Sequence, residues 1–271
     1  MDAGLKGKVV LVTGASGGLG SEMVRALAGE GARVVIHYHS RREAAIALFG
    51  ELDSTVHAVI GADLTSEDDV ARLWREAEQQ LEPIEIVIAN AAIWPPEDVP
   101  IHRMTLEHWD RTVTTNLTSV FLCMREFFRG IEQHTITDPA AVLVGSTAAV
   151  FGEAGHADYA AAKGGLVHGF LLSLKNEITR LAAHGRVNAL CPGWTVTPLT
   201  EGFMDDADVV RRALQTIPLR KVGRPMDVAS AALFLASSQL SGHITGQMLM
   251  TSGGMEGRVL YEPDEIDPRR V

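Results

Sequence analysis

The chain has little of what a disulfide-stapled, membrane-spanning or nucleic-acid-binding protein would need. Its 271 residues include two cysteines, Cys123 and Cys191. No disulfide framework is therefore expected, and a reducing cytoplasm is the expected compartment. Cys191 adjoins Pro192-Gly193, where a small buried thiol is the expected role. No uninterrupted apolar run reaches the length of a transmembrane helix. Residues Met1–Lys8 lead straight into an apolar strand pattern, so neither a signal peptide nor an anchor is expected. Positive charge is scarce, with 24 Lys+Arg against 34 Asp+Glu and a net charge of −10. Without a basic stripe, nucleic acid is not an expected partner. No internal repeat or low-complexity linker divides the chain, and no metal-ligand spacing is present.

What remains is 46% hydrophobic with 26 glycines, a composition suited to a buried sheet with tight connections. Strand-like runs lie near Val9–Thr13, Arg33–Tyr38, Val56–Ile60, Ile84–Ala89, Ala140–Gly145, Arg186–Leu190 and Met248–Met250. Helical patterns fall between them, including Glu67–Leu81, Leu106–Phe128, His156–Leu181 and Met226–Ala236. That alternation predicts an α/β fold, a doubly wound seven-stranded parallel sheet with helices on both faces. A single domain over residues 1–271 is expected, with 256–271 as a charged tail that stays disordered or reaches a neighbouring subunit.

Two local patterns carry chemistry. The first is Thr13-Gly14-Ala15-Ser16-Gly17-Gly18-Leu19-Gly20, between the apolar run Val9–Val12 and a helical pattern through Met23, Val24 and Leu27. A glycine turn between strand and helix lets the backbone approach a pyrophosphate at the positive end of the helix. The second is Tyr159-Ala160-Ala161-Ala162-Lys163, whose spacing stacks a phenol and an ammonium on one helix face. A free Tyr titrates near pH ~10. A neighbouring positive charge is expected to lower that value and make the phenol usable as an acid/base.

Together these motifs resemble the short-chain dehydrogenase/reductase family, and the resemblance covers nearly the whole chain. Thr13-Gly14…Gly18-Leu19-Gly20 is similar to its cofactor turn, and Asn90-Ala91-Ala92 to its Asn-Ala-Gly signature, with Ala92 where Gly is usual. Asn116, Ser146, Tyr159 and Lys163 follow the order of its catalytic tetrad. Pro192-Gly193-Trp194-Thr195-Val196-Thr197 resembles its segment after the sixth strand. Ile244-Thr245-Gly246-Gln247 and Ser252-Gly253-Gly254 resemble its C-terminal signature, with Ser252 where Asp is common. The resemblance implies hydride transfer between nicotinamide and a carbonyl carbon, with Tyr159 as general acid/base. Ser146 would bond the substrate oxygen, Lys163 would hold the ribose, and Asn116 would anchor a water. Asp63 and Leu64 would flank the adenine, and Pro192, Gly193, Thr195 and Thr197 would complete the cofactor site.

Cofactor choice is read after the second strand, where an acid would select NAD by bonding the ribose 2′-hydroxyl. Here His39-Ser40-Arg41-Arg42 offers no acid before Glu43. With Ser16, residues His39, Ser40 and Arg41 are expected donors to a 2′-phosphate, so NADP(H) is favoured over NAD(H). Gly17 stands where NADP-preferring relatives often carry Arg, and Arg41-Arg42 also reads as an exposed helix start. Trp94, Phe151, Trp194, Phe203 and Met204 suggest a partly aromatic substrate pocket. A small ketone or secondary alcohol is the expected substrate. The alternatives are a 3-oxoacyl-acyl-carrier-protein reductase docking through Arg125, Arg129 and Arg180, or a nicotinamide-binding regulator without turnover. Small residues Ala160, Ala161, Ala162, Gly164 and Gly165 permit close helix approach, and the resemblance implies a homodimer or homotetramer.

Overall fold

A computed structural model describes residues 2–52, 56–198, 200–267 and 269, with the side chains of Phe203 and Met204 outside the described set. Seven parallel strands form one sheet in the order β3-β2-β1-β4-β5-β6-β7. They are β1 (Val9–Val12), β2 (Arg33–Tyr38), β3 (Ala58–Gly61), β4 (Ile86–Ala89), β5 (Ala140–Val144), β6 (Arg186–Pro192) and β7 (Met248–Thr251). Strands β1, β4, β5 and β6 are buried along their whole length, which accounts for their continuous rather than alternating apolar runs. The predicted doubly wound α/β sheet is therefore present, with strand limits within two residues or so of those expected.

Two apolar cores, one on each face, hold the sheet between helices. One face packs α1 (Gly18–Gly29), α2 (Arg42–Gly50) and α11 (Pro225–Ala236) through Met23, Leu27, Leu48 and Val228. The other packs α3 (Glu67–Gln80), α5 (Ser119–His134) and α8 (Leu171–Leu181) through Leu73, Trp74, Phe127 and Ile178. Ser66 caps α3 by accepting from the Asp69 N–H, and Glu67, Asp68 and Asp69 complement the helix's positive end.

The two long helices expected from periodicity are interrupted. Between α4 (Leu106–Val113) and α5 lies a π-helical turn, Thr114–Thr118, and a second, Gly165–Phe170, joins α7 (Ala157–Gly164) to α8. A single-turn π-bulge keeps the apolar period nearly intact while rotating the side chains beyond it. Periodicity alone therefore runs straight through both.

A third, smaller cluster forms beyond the carboxyl ends of the strands. After the short helices α6 (Ala148–Phe151) and α9 (Glu201–Met204), α10 (Ala207–Leu214) contributes Val210 and Leu214. Ile217, Val222 and Ile266 complete it, with Trp194, Met255 and Tyr261 packed around them. Over its described residues the tail makes contacts with its own chain. Leu260 N–H donates to Gln215 O at 2.8 Å, Tyr261 Oη donates to Pro218 O at 3.2 Å, and Arg220 stacks 3.9 Å from the Tyr261 ring centroid. Last, α12 (Ser238–Ser241) precedes β7. No helix among the described residues is long and apolar enough to cross a membrane.

Candidate active site

The strand order reverses between β1 and β4, where the chain from β1 leaves to one side and that from β4 to the other. A crevice at the carboxyl ends of the strands follows at such a switch point. Here it is a cavity of about 910 Å³.

Its floor is the glycine turn. Thr13 Oγ1 accepts from the N–H groups of Asn90 and Ala91 at 2.9 and 3.0 Å, and Asn90 Nδ2 donates back to Thr13 O at 2.9 Å. These bonds tie the ends of β1 and β4 together. Gly14 has φ +63°, and a Cβ there would lie 2.9 Å from Ala91 Cα. At Gly20 a Cβ would collide with Gly14 O and lie 2.8 Å from Ala15 Cα. The space is closed to side chains for steric reasons. Gly17 is the N-cap of α1 and supplies no side-chain cap, so the first N–H groups of a twelve-residue helix face the cavity. That is the cradle a pyrophosphate needs, and the residues present fit a dinucleotide.

Around this floor stand the residues singled out by sequence. Gly14, Ser16, Gly18, Leu19, Gly20, His39, Ser40, Arg41, Asp63, Leu64, Asn90, Ala91, Ala92, Pro192, Gly193, Thr195 and Thr197 all line the cavity. Arg41 is the N-cap residue of α2, exposed and yet at the cavity wall, which joins the two readings made of it. The Asp63 carboxylate accepts from Thr65 N and Thr65 Oγ1 at 2.9 and 2.7 Å, and these bonds hold its pKa below the usual range. Thr197 and Pro198 pack over the glycine turn, so a Cβ on Gly18 would lie 2.7 Å from Pro198 Cδ.

Ser146, Tyr159 and Lys163 also line the cavity. Ser146 follows β5, accepts from the Ala148 N–H at 3.1 Å and is near enough to the Tyr159 hydroxyl to favour its ionised form. Lys163 is 2% exposed and donates to Val144 O at 2.7 Å, with its Nζ 5.9 Å from the Tyr159 ring centroid. The expected lowering of the Tyr159 pKa by Lys163 is not found here. Burial pushes the phenol up to about 12, against the effect of Ser146, and burial pushes Lys163 down to about 8. Desolvation outweighs an ammonium whose proton is directed to the Val144 carbonyl.

Asn116 sits in the first π-turn, fully buried, outside the cavity wall. Its Oδ1 accepts from Ile93 N at 2.8 Å and its Nδ2 donates to Ile93 O at 2.8 Å. The side chain thus clamps the loop just after Asn90-Ala91-Ala92, and any water it anchors would have to meet its backbone. Both cysteines are buried; burial pushes Cys123 up to about 12 and Cys191 up to about 11, which leaves both as thiols.

Two residues that the sequence did not single out, His37 and Glu153, line the cavity, and a third, His156, packs against its Trp94. His37, in β2, accepts from the Gly14 N–H through Nδ1 at 3.0 Å, and its Nε2 meets Ala62 O at 3.0 Å. Its only sequence signal is a lone polar residue inside an apolar strand. Glu153 lines the cavity and accepts from Trp94 Nε1 at 3.1 Å. His156 stacks on Trp94 with centroids 4.9 Å apart, and its Nε2 donates to Pro95 O at 2.9 Å. The expected aromatic lining holds for Trp94 and Trp194, whereas Phe151 lies outside the wall and Phe203 and Met204 lie outside the described side chains.

In the candidate docking patch Arg180 is exposed, and the other two arginines make ion pairs at the surface. Arg125 pairs with Glu67 at 2.7 Å and Arg129 with Glu126 at 2.6 Å. In the small-residue stripe, Ala162 is buried in the chain itself and a Cβ on Gly165 would lie 3.3 Å from Leu117.

A family model described as enoyl-(acyl carrier protein) reductase matches residues 14–256. The chain is 34% identical over 254 residues to a 3-oxoacyl-[acyl-carrier-protein] reductase of Synechocystis sp., covering 93% of this chain and 98% of the relative. It is also 34% identical to a cis-4-hydroxycyclohexanecarboxylate dehydrogenase of Sinomonas cyclohexanicum, over 91% of this chain and 96% of that one. A crystal structure titled short-chain dehydrogenase/reductase SDR:glucose/ribitol dehydrogenase, from Brucella melitensis, superposes with a TM-score of 0.83 at 27% identity, covering 97% of this chain and all of the other.

Proposed function

The chain is an oxidoreductase of the short-chain dehydrogenase/reductase family, and we propose that it interconverts a small ketone and its secondary alcohol with NADP(H). The observation that carries this reading is the convergence of Ser146, Tyr159 and Lys163 on the same cavity wall, beside the glycine cradle. Residues 1–271 would act as one domain. When bound, the nicotinamide supplies or accepts the hydride.

The chain's own residues account for the proton and for orientation. With its pKa near 12, Tyr159 is a protonated phenol at neutral pH. That is the form that donates a proton to a carbonyl oxygen as negative charge develops there. Ser146 Oγ, on the same cavity wall as the phenol, donates to the same oxygen and holds it in place. Lys163 would favour the phenolate left behind and would hold the ribose of a bound nicotinamide. Asn116 fixes Ile93 and with it the Asn90-Ala91-Ala92 loop beside the cavity floor.

NADP(H) is preferred because the wall at His39, Ser40 and Arg41 offers donors and no carboxylate to a 2′-phosphate. An acyl-carrier substrate is disfavoured by the ion pairs that neutralise Arg125 and Arg129. We further assign a homo-oligomer, since Phe121 on α5 and Leu172 on α8 are 44% and 45% exposed on neighbouring helices. Light scattering reads its mass.

The test is to mix the protein with NADPH and a panel of ketones while following loss of cofactor absorbance. Turnover of at least one ketone is expected. NADPH binding with no turnover across the panel would favour a regulator and overturn the enzymatic assignment.

A further inference from the structure

Near Tyr159 the cavity carries a carboxylate that the hydride-transfer chemistry does not use. Glu153 follows Gly152 at the end of α6, and its side chain is 34% exposed, toward a cavity that both residues line. It is close enough to Tyr159 to raise the phenol's pKa, after burial and against the effect of Ser146. Burial is also the largest influence on Glu153 itself, raising its pKa against the opposing effects of His156 and Trp94.

Its position is built. Trp94 Nε1–H donates to Oε1 at 3.1 Å, and His156 Nδ1 lies 3.7 Å from the same oxygen. His156 stacks on the Trp94 ring at an interplanar angle of 14° and donates to Pro95 O. Below, Val99 N–H donates to Gly155 O at 2.9 Å, and Gly155, at φ +78°, leaves its Cβ position to the Asp98 carboxylate. Two loops that follow different strands are thereby fastened together, and Glu153 Oε1 is the point where they meet. No described residue donates to Oε2. Glu153 lines the cavity, so a donor on a ligand can take the place of solvent at Oε2.

On the proposed hydride-transfer reading, we infer that Glu153 Oε2 is the anchor for a hydrogen-bond donor on the substrate, a hydroxyl or an ammonium near the reacting carbonyl. The substrate class is a hydroxylated or aminated ketone, reduced to a diol or amino alcohol. A carboxylate at the same place meets like charge and is rejected. One feature opposes this selection: Arg111 also lines the cavity, from α4. An anionic substrate anchored by Arg111 is therefore the rival outcome.

The experiment compares four ketones on one ring skeleton: unsubstituted, 2-hydroxy, 2-amino and 2-carboxylate. kcat/KM is measured with NADPH for the wild type and for Glu153→Gln. Gln keeps the length and an oxygen for the Trp94 indole, and an NADPH titration checks that the cofactor site persists. In the wild type the hydroxy or amino ketone exceeds the parent ketone, and Glu153→Gln lowers that ratio by ~10-fold or more, the worth of a bond to a charged acceptor. Loss of the ratio for the amino ketone alone identifies an ammonium as the donor; loss for both identifies a hydroxyl as sufficient. A ratio unchanged within about twofold, or a wild-type preference for the carboxylate, overturns the inference. Should no ketone turn over, the enzymatic reading falls separately. The anchor is then read by titrating the corresponding diol and amino alcohol into the NADPH complex by cofactor fluorescence. Weaker binding to Glu153→Gln supports the anchor, and equal binding removes it.

Discussion

The backbone N–H of Gly14 donates to Nδ1 of His37 at 3.0 Å, which fixes the tautomer of a buried imidazole and the first bend of the glycine turn together. With Nδ1 accepting, Nε2 carries the proton and donates to Ala62 O at 3.0 Å. The ring thus bridges the ends of β1, β2 and β3 under the cofactor cradle. Only the neutral imidazole can make both bonds.

Acid should therefore expose this residue. Burial lowers the His37 pKa to about 4, whereas an unfolded His titrates near pH ~6.5. As pH falls below that unfolded value, the unfolded chain takes up a proton that the folded chain refuses. The stabilisation is full above pH ~6.5, is lost through the window down to pH ~4, and amounts to about 2 kcal/mol by pH ~5. Urea unfolding at pH 7.5 and 5 should show a loss larger in the wild type than in His37→Asn by about that amount. Equal losses would mean that His37 is protonated without penalty.

For Tyr159→Phe, the ring and its packing persist while the transferable proton goes. Turnover should fall by ~100-fold or more, the usual weight of a positioned general acid. NADPH affinity should change little, because the loss lies in the transition state. Steady-state rates with a fluorescence titration of NADPH separate the two. Near-wild-type turnover would remove Tyr159 from the chemistry.

Arg41 stands at the cavity wall as the N-cap of α2. If it meets a 2′-phosphate, Arg41→Ala should weaken NADPH by ~10-fold or more and leave NADH within about threefold, since a charge-assisted bond is at stake only for the former. Dissociation constants for both cofactors measure this. Equal weakening would assign Arg41 to the helix start alone.

The sheet was legible because its buried strands are continuous apolar runs and its turns are punctuated by glycine. The cavity floor was legible for a related reason: Gly14 and Gly20 have no room for a Cβ, so backbone geometry is written directly as residue type. The π-turns at Thr114–Thr118 and Gly165–Phe170 were not, because one inserted residue leaves helical periodicity nearly unchanged. His37 and Glu153 were missed because their partners, Gly14 and Trp94, are 23 and 59 positions away. The sign of the Tyr159 shift was missed for a different reason. Helical spacing places Lys163 beside it, yet only the folded chain shows the ammonium donating to Val144 O.

The tail makes the last prediction. Tyr261 joins residues beyond β7 to the loop after α10 through the Arg220 cation–π contact and the bond to Pro218 O. Together these are worth about 1.5–2 kcal/mol. Arg258, in the same segment, is 71% exposed and is an available tryptic site. Tyr261→Ala should therefore open the segment more often and speed cleavage after Arg258 by ~10-fold, because cleavage tracks the open population. Met255 and Trp194 pack in the same cluster and line the cavity, so the KM for ketones should rise. The dissociation constant of NADPH should change less than KM, since the glycine cradle is built on β1 and α1 rather than on this cluster. Limited proteolysis read by mass, beside a KM and an NADPH titration, tests both parts. Unchanged cleavage would show that Ile266 and the Leu260–Gln215 bond hold the segment without Tyr261.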